Sequence, residues 1–387
     1  MKWINILHLY QPPTQSKEIV DQVVKESYSK IISLLDQYPK LRLTMNVAGS
    51  LLELLRKYGH ENIITGLKRH VDRGVIELLG SAMYHPILPL LSASMIRRQI
   101  KLHDDISKEC FGKAYAPRGF YFPEMAYSRE SAEVVKAAGF EWTTLDEIHS
   151  VEKIIWSQPY TIKNVGLGVI FRNSHFSKSF PPESIVAELG SITEEYVITC
   201  HDGEMYGHWH RDDRGFYEKA FSHPRIGFLT ASEYVDQEDK NSDGKIDEKN
   251  ELDIRDASWE SQPDELAKNI PLGLWNDPNN DIHQLLESLK RKVLTAIDEH
   301  QDDPGFVTAR HHSDRGVASC AWWWASERKL GPFSPITWNP TEIEKGAREL
   351  ETAYKSLQTV DPTEAKEIGE AFEHLFKRIW EKHKARG

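Results

Sequence analysis

The stretch VITCHDGEMYGHWH, residues 197–210, opens as a buried strand and then packs two acids and three histidines into its last ten residues. A short run of β-branched and apolar residues that gives way at once to Asp202 and Glu204 reads as a strand whose chemistry is set down at its C-terminal end. The same arrangement recurs along the chain. WINILHL (3–9) carries His8 near its end, LRLTMNV (41–47) carries Asn46, GVIELLG (74–80) carries Glu77 and leads to His85, and RGFYFP (118–123) runs into Glu124. Further strand-like runs lie at 140–145, 168–173 and 226–231, which gives eight candidates with 196–201. Helix-period stretches at 17–37, 50–72 and 128–139 lie between several of them, the last opening on a capping serine and closing on glycine. Strand and helix in alternation predict a parallel α/β architecture, a barrel or a doubly wound sheet. In a (β/α) barrel the strand C-termini open onto one face, so residues far apart in sequence converge there.

Past about residue 280 the strand pattern stops. Helical segments are predicted at 281–299, at 340–358 with Pro340 in its first turn, and at 362–385 behind Asp361 and Pro362. Between them, 310–327 reads as a fourth helix whose consecutive Trp322, Trp323 and Trp324 cannot all face one way. The expected organisation is a catalytic barrel over 1–280 and a helical C-terminal domain over 281–387 that packs on the barrel face.

Composition narrows the function. The 387 residues are 40% hydrophobic and 28% charged, as in a folded globular protein, and 48 basic against 59 acidic residues leave a net charge of −11. That charge opposes polyphosphate and anionic lipid, so neither nucleic acid nor membrane is an expected partner. The N-terminal apolar run is too short for a signal sequence, which makes the cytoplasm the expected location. Three cysteines, far apart, predict neither a disulfide framework nor a cysteine zinc site. Eleven tryptophans and seventeen histidines suit a ligand with apolar faces and polar edges, such as a sugar.

The acids and histidines of 201–210 raise the question of a metal. No two histidines in the chain lie four residues apart, and His208 and His210 flank a bulky indole, so a polar aromatic loop is the simpler reading. Glu124 alone could be a capping or surface glutamate, and His8 a satisfied strand-end histidine. Two carboxylates delivered from different strand ends, however, match retaining glycoside hydrolysis, in which one attacks the anomeric carbon and the other protonates the leaving oxygen. Glu77, an acid inside an apolar run, needs a partner, and a site-facing role supplies one. Trp209, in a glycine-flanked loop, is the candidate for stacking on sugar.

HLYQPP (8–13), GVIELLGSAMYHPILPLL (74–91), RGFYFPEMAYS (118–128) and HDGEMYGHW (201–209) resemble, in order and spacing, the first four motif regions of glycoside hydrolase family 57. That family acts on α-glucans from an incomplete (β/α)7 barrel. The resemblance implies Glu124 as nucleophile and Asp202 as general acid/base of a double displacement, with His8, Gln11, Glu77, His85 and Glu204 lining the sugar site. A fifth region is expected from the helical part, with His312, Asp314 and Trp323 as candidates, so that an α-glucan or maltooligosaccharide is the expected substrate and no cofactor is needed for catalysis. Two departures stand out. Tyr10 replaces the second histidine of the first motif, and Cys320 lies where Ser-Asp is common in the fifth, with Asp314 upstream and His311 or His312 as other substitutes. Glucanotransferase and branching activities on the same scaffold remain open, as do, from other classes, a metal-dependent polysaccharide deacetylase and a non-catalytic glucan-binding protein.

One loop carries a separate signal. In DKNSDGKIDEKNE (239–251), Asp239, Asn241, Asp243 and Asp247 fit an EF-hand-type calcium loop, although Asn250 stands where the bidentate glutamate belongs. A structural calcium ion and a solvated acidic turn are the two readings.

Overall fold

The computed structural model describes residues 1–156, 158–241, 250–330 and 336–386. The strands are β1 (Lys2–Leu9), β2 (Leu43–Val47), β3 (Ile76–Leu78), β4 (Gly119–Phe120), β5 (Trp142–Asp146), β6 (Tyr160–Ile162), β7 (Gly168–Arg172), β8 (Tyr196–Asp202), β9 (Gly227–Leu229) and β10 (Glu251–Leu252). Contacts divide the chain into two units. The first holds Met1–Gln11, Gln15–Met83 and Leu88–Trp259; the second holds Pro12–Thr14, Tyr84–Ile87 and Glu260–Gly387. The expected boundary at 280 therefore falls inside the second unit.

In the first unit β1 pairs in parallel with β8 along its length, from Lys2 opposite Tyr196 to His8 opposite Asp202. Its other edge is shared: Lys2–Ile4 pair with β9, and Ile6–Leu9 pair with β2. From β2 the parallel pairing passes to β3 and then, through a Gly80–Phe120 bridge, to β4. It continues to β5 and β7, and the Asn173 N–H donates to the Ile198 carbonyl of β8 at 2.8 Å. Hydrogen bonds thus lead from β1 through β2, β3, β4, β5, β7 and β8 back to β1. Strand β9 branches from this path, and β6, antiparallel to β7, extends it sideways to β10. Of the eight strand-like runs, 168–173 is part of this path and 226–231 is the branch. The strand expected over 118–123 is only Gly119–Phe120, because the chain turns at Pro123.

Alternation along β1 decides what each face holds. Trp3, Leu7 and Leu9 enter one apolar cluster with the helix residues Val20, Leu34 and Leu51, whereas Ile4 and Ile6 enter another with Phe120, Ile170, Ile198 and Cys200. Full burial of each such side chain contributes about 1.5–3 kcal/mol. His8 shares the parity of Ile4 and Ile6, and Asp202 that of Ile198 and Cys200. Both polar groups therefore sit above columns of side chains that belong to the same inner cluster.

The stretch expected as one helix over 17–37 is continuous but changes pitch: Lys17–Val23 and Ser29–Gln37 are α-helical, and Val24–Tyr28 is a π-helical turn. The region 50–72 is two helices, Gly49–Lys57 and Glu61–Asp72. Ser128 caps the helix Arg129–Ala137 as expected, its hydroxyl accepting the Ser131 N–H at 3.2 Å.

In the second unit the helices Asp281–Glu299, Pro340–Lys355 and Pro362–Lys384 follow the predicted positions closely. Each buries residues three or four apart, such as Ile282, Leu286, Leu289 and Val293 in the first. Residues 310–327 are two helices rather than one, Phe306–Gly316 and Cys320–Ala325. Gly316 allows close packing here, since a Cβ at that position would lie 2.7 Å from a Leu350 methyl. Asp303 ties the unit's turns together by accepting the N–H groups of Gly305, Gln358 and Thr359.

Candidate active site

Glu124 lies in the turn Pro123–Met125 directly after β4, and the main chain there is unusual. Glu124 has φ 59° and Met125 φ 48°, two successive non-glycine residues in the left-handed region. Each such residue costs on the order of 1–2 kcal/mol and persists only when its surroundings fix it. Here they do. The Met125 N–H donates to the Phe122 carbonyl and the Ala126 N–H to Pro123, while the Trp259 N–H reaches the Glu124 carbonyl at 3.2 Å. The Met125 carbonyl faces His149 Nε2 at 2.8 Å, and His149 Nδ1 lies 2.9 Å from the Asp146 carbonyl. The indole N–H of Trp259 also donates to Glu124 Oε2 at 2.9 Å.

Trp259 is itself held. The Arg172 guanidinium lies over its ring, 4.8 Å from the centroid, and is pinned by Asp146 at 2.7 Å and by the Cys200 carbonyl at 3.0 Å. Burial pushes the Asp146 carboxyl up, but the Arg172 charge and the Ile148 N–H outweigh it and hold the group below its ordinary value. Arg172 and Asp146, at the ends of β7 and β5, are both buried. Their pairing satisfies two charges that would be costly alone.

Asp202 closes β8 in relaxed extended geometry, φ −67° and ψ 135°. Across the sheet stands His8, whose Nδ1 lies 2.7 Å from Asn46 Oδ1; since an amide oxygen only accepts, that nitrogen carries the proton. Burial pulls the His8 pKa down to about 4, so the ring is neutral near pH 7. Beneath it Tyr121 stacks at 4.6 Å, and Tyr121 also meets the edge of Trp259 at 6.2 Å. Burial raises the Tyr121 pKa well above its ordinary value, with Cys200, Asp202 and Glu124 each adding to the effect. One phenol thus feels both candidate carboxylates.

Glu204, two residues beyond Asp202, points inward. It accepts from Tyr28 Oη at 2.5 Å and from Gln11 Nε2 at 3.2 Å, with a further bond from the Tyr10 main chain. Burial raises its pKa despite these donors. The ring of Tyr10, in place of the family's histidine, stacks on His8 at 5.8 Å. Trp209 is 60% exposed, and its main-chain N–H donates to the Glu204 carbonyl at 2.9 Å. His201 is buried against Tyr206 with its pKa lowered by burial to about 4.

The first unit therefore gathers His8, Gln11, Glu124, Asp202 and Glu204 around the ends of β1, β4 and β8. Glu77 is placed otherwise than expected. Its carboxylate accepts the Ser232 main-chain N–H at 3.0 Å, the Ser232 hydroxyl, and the Thr44 hydroxyl at 3.1 Å. It holds the start of the helix Ala231–Asn241, a favourable place for an acid, and burial raises its pKa. In the second unit His85, with φ 58°, sets Nδ1 3.1 Å from Ser319 Oγ. His312 is engaged by Glu349 at 2.7 Å, Asp314 is buried, and Trp323 meets Trp324 edge to face at 4.5 Å. Of the expected calcium ligands, Asp239 and Asn241 end the helix Ala231–Asn241, whereas Asp243 and Asp247 lie outside the described residues. Among the described residues no three His, Cys, Asp or Glu side chains gather as a metal-binding group, and no helix is long and apolar enough to cross a membrane.

Tyr28, Asp146, His149, Arg172 and Trp259 were not legible as site residues. Tyr28 sits inside a helix pattern, and Trp259 is a single aromatic in a stretch without periodicity. Arg172, the last residue of a strand-like run, carried the signal that finds the others: a charge at a strand end needs a partner.

Two carboxylates, Glu124 and Asp202, thus stand at strand ends of a parallel α/β fold. The chain belongs to glycosyl hydrolase family 57, whose family model matches residues 5–246. It is 26% identical over 253 residues to an α-amylase of Pyrococcus horikoshii, covering 59% of this chain and 39% of that protein. It is 23% identical over 253 residues to a 4-α-glucanotransferase of Thermococcus litoralis, covering 59% of this chain and 38% of that one. The chain thus spans about two-fifths of the length of the curated relatives it matches. Its fold is similar to the crystal structure of a family 57 branching enzyme from Thermococcus kodakaraensis in complex with glucose, with a TM-score of 0.72 at 14% identity over 98% of this chain and 95% of that one.

Proposed function

We propose that this protein is a retaining glycoside hydrolase acting on α-1,4-linked glucans, with Glu124 as nucleophile and Asp202 as general acid/base. The observation that carries this is the placement of Glu124 in the turn after β4 and of Asp202 at the end of β8, with the buried Tyr121 ring packed between His8, the strand neighbour of Asp202, and Trp259, the donor to Glu124, together with the family membership of residues 5–246. In the first step the Glu124 oxygen attacks the anomeric carbon as the glycosidic bond breaks, and Asp202 gives its proton to the leaving oxygen. In the second, Asp202 takes a proton from water, which displaces Glu124 with a second inversion. An ionised Glu124 is served by the indole N–H donor at 2.9 Å. The neutral His8 contributes a polar edge beside Asp202 without a competing positive charge. The pairing path from β1 to β8 and back is the basis for reading the fold as the incomplete (β/α)7 barrel, followed by the helical domain.

The experiment is to follow fresh products from maltoheptaose by proton NMR: retention gives the α-anomer first, and an initial β-anomer rejects the mechanism. Glucanotransferase or branching activity uses the same two acids with a sugar acceptor, and chain-length redistribution without net reducing ends would favour it. For residues 239–247 we propose a structural calcium ion; EDTA should then lower Tm, and an unchanged Tm rejects it.

A further inference from the structure

The loop after Asp202 is gripped by three consecutive residues of one helical turn. Glu26, Ser27 and Tyr28 belong to the π-turn Val24–Tyr28, a rare geometry that proteins use mostly in single turns. Its wider spiral advances less per residue than an α-turn, so neighbouring side chains depart more nearly on one side. The Ser27 hydroxyl donates to the Gly203 carbonyl at 2.8 Å, Tyr28 donates to Glu204 at 2.5 Å, and Glu26 Oε2 lies 2.6 Å from His208 Nδ1. The His208 contact holds the Glu26 carboxyl below its ordinary value. The turn also meets the loop closely: Gly207 has φ 113°, and a Cβ there would lie 2.2 Å from the Glu26 carbonyl oxygen. Only glycine fits both demands. Next to His208 stands the exposed Trp209.

We propose that the Glu26–His208 contact is a positioning device that fixes the indole of Trp209 as a platform for the sugar rings of a bound α-glucan, so that Glu26 sets affinity for chains without taking part in bond cleavage. This rests on the proposed α-glucan function and on Trp209 being a sugar platform. A preorganised aromatic face costs less ordering on binding than a mobile one. Loss of the clamp should therefore raise KM and leave kcat nearly unchanged, the signature of binding lost equally from ground and transition states.

The test uses the full chain as wild type, Glu26→Ala, Glu26→Gln, Trp209→Ala and the double variant Glu26→Ala/Trp209→Ala. It measures kcat and KM on maltoheptaose and amide exchange across 203–211 by mass spectrometry. Glu26→Ala should speed exchange in 205–211 and raise KM roughly fivefold with kcat within about twofold. Glu26→Gln, which keeps an oxygen facing His208, should restore most of the KM, and the double variant should be no worse than Trp209→Ala. Unchanged exchange, an unchanged KM in Glu26→Ala beside a raised one in Trp209→Ala, an equal loss in kcat, or additive effects in the double variant would each overturn the proposal. If Trp209→Ala leaves KM unchanged, or the wild type does not turn over maltoheptaose, the underlying sugar-site reading fails, and the proposal fails with it.

Discussion

At the end of β4 the main chain itself holds the carboxylate; at the end of β8 side chains hold the loop behind it. Glu124 sits in a left-handed turn fixed by hydrogen bonds to successive carbonyls and by an indole donor on its carboxylate. Asp202 has ordinary extended geometry, and beyond it Ser27, Tyr28 and Gln11 take hold of Gly203 and Glu204. The difference fits the two proposed roles. A nucleophile must stay ionised and must not move relative to the sugar, so rigidity and a fixed donor serve it. An acid/base must gain and lose a proton in each cycle, and a carboxylate in ordinary extended geometry is compatible with that role.

The largest effects should separate the two carboxylates. Glu124→Gln should lower kcat by about 10⁴-fold or more on every substrate, since no group replaces a lost nucleophile. Asp202→Asn should cost about 10²–10⁴-fold on maltooligosaccharides and far less on aryl glycosides whose leaving groups need little protonation. Equal losses on both substrate types would erase the distinction. Next comes the support of Glu124. Arg172→Met leaves Asp146 buried without its cation and should reduce unfolding free energy by about 3–5 kcal/mol in urea denaturation, with partial recovery in Arg172→Met/Asp146→Asn. A loss below about 1 kcal/mol would show that the pair is not what secures this strand end.

Trp259→Phe keeps an aromatic side chain and removes one hydrogen bond to a charged oxygen, an effect of about 1.5–3 kcal/mol or roughly 10–100-fold in kcat/KM. Losing a donor to the ionised form raises the Glu124 pKa, so the acidic limb of the rate profile should move to higher pH. The smallest effect concerns Glu204. Its folded pKa is raised above the ordinary 4.5 by burial, so its favourable contribution is full below that value and falls as pH rises through the folded pKa. Glu204→Gln should remove this decline, seen as a flatter Tm from pH 4.5 upward. A Tm profile parallel to wild type would mean that the side-chain grip on the β8 loop does not depend on this acid's protonation.

What could be read beforehand follows from which forces are local. Strand runs that end in His8, Glu124 and Asp202 are legible because alternation and a terminal polar residue lie within a few positions. The C-terminal helices were legible for the same reason, with proline and aspartate marking their starts. Glu77 was misplaced because an acid in an apolar run announces only that it needs a partner; which one, here the start of the helix Ala231–Asn241, depends on β3 lying beside β2. Trp259 and Arg172 come together from 87 positions apart through a cation over a ring, a contact without a local pattern. The π-turn leaves no trace in an otherwise helical stretch, since its stabilising contacts lie on residues 203–208.

The assignment of roles is tested most directly by trapping the covalent intermediate with 5-fluoro-α-D-glucosyl fluoride and locating it by peptide mass spectrometry. A nucleophilic Glu124 predicts one added fluoroglucosyl group on the peptide bearing Glu124, with loss of activity that recovers when an acceptor sugar is supplied. A label on Asp202 or Glu204, or inactivation of Glu124→Gln at the wild-type rate, would contradict it.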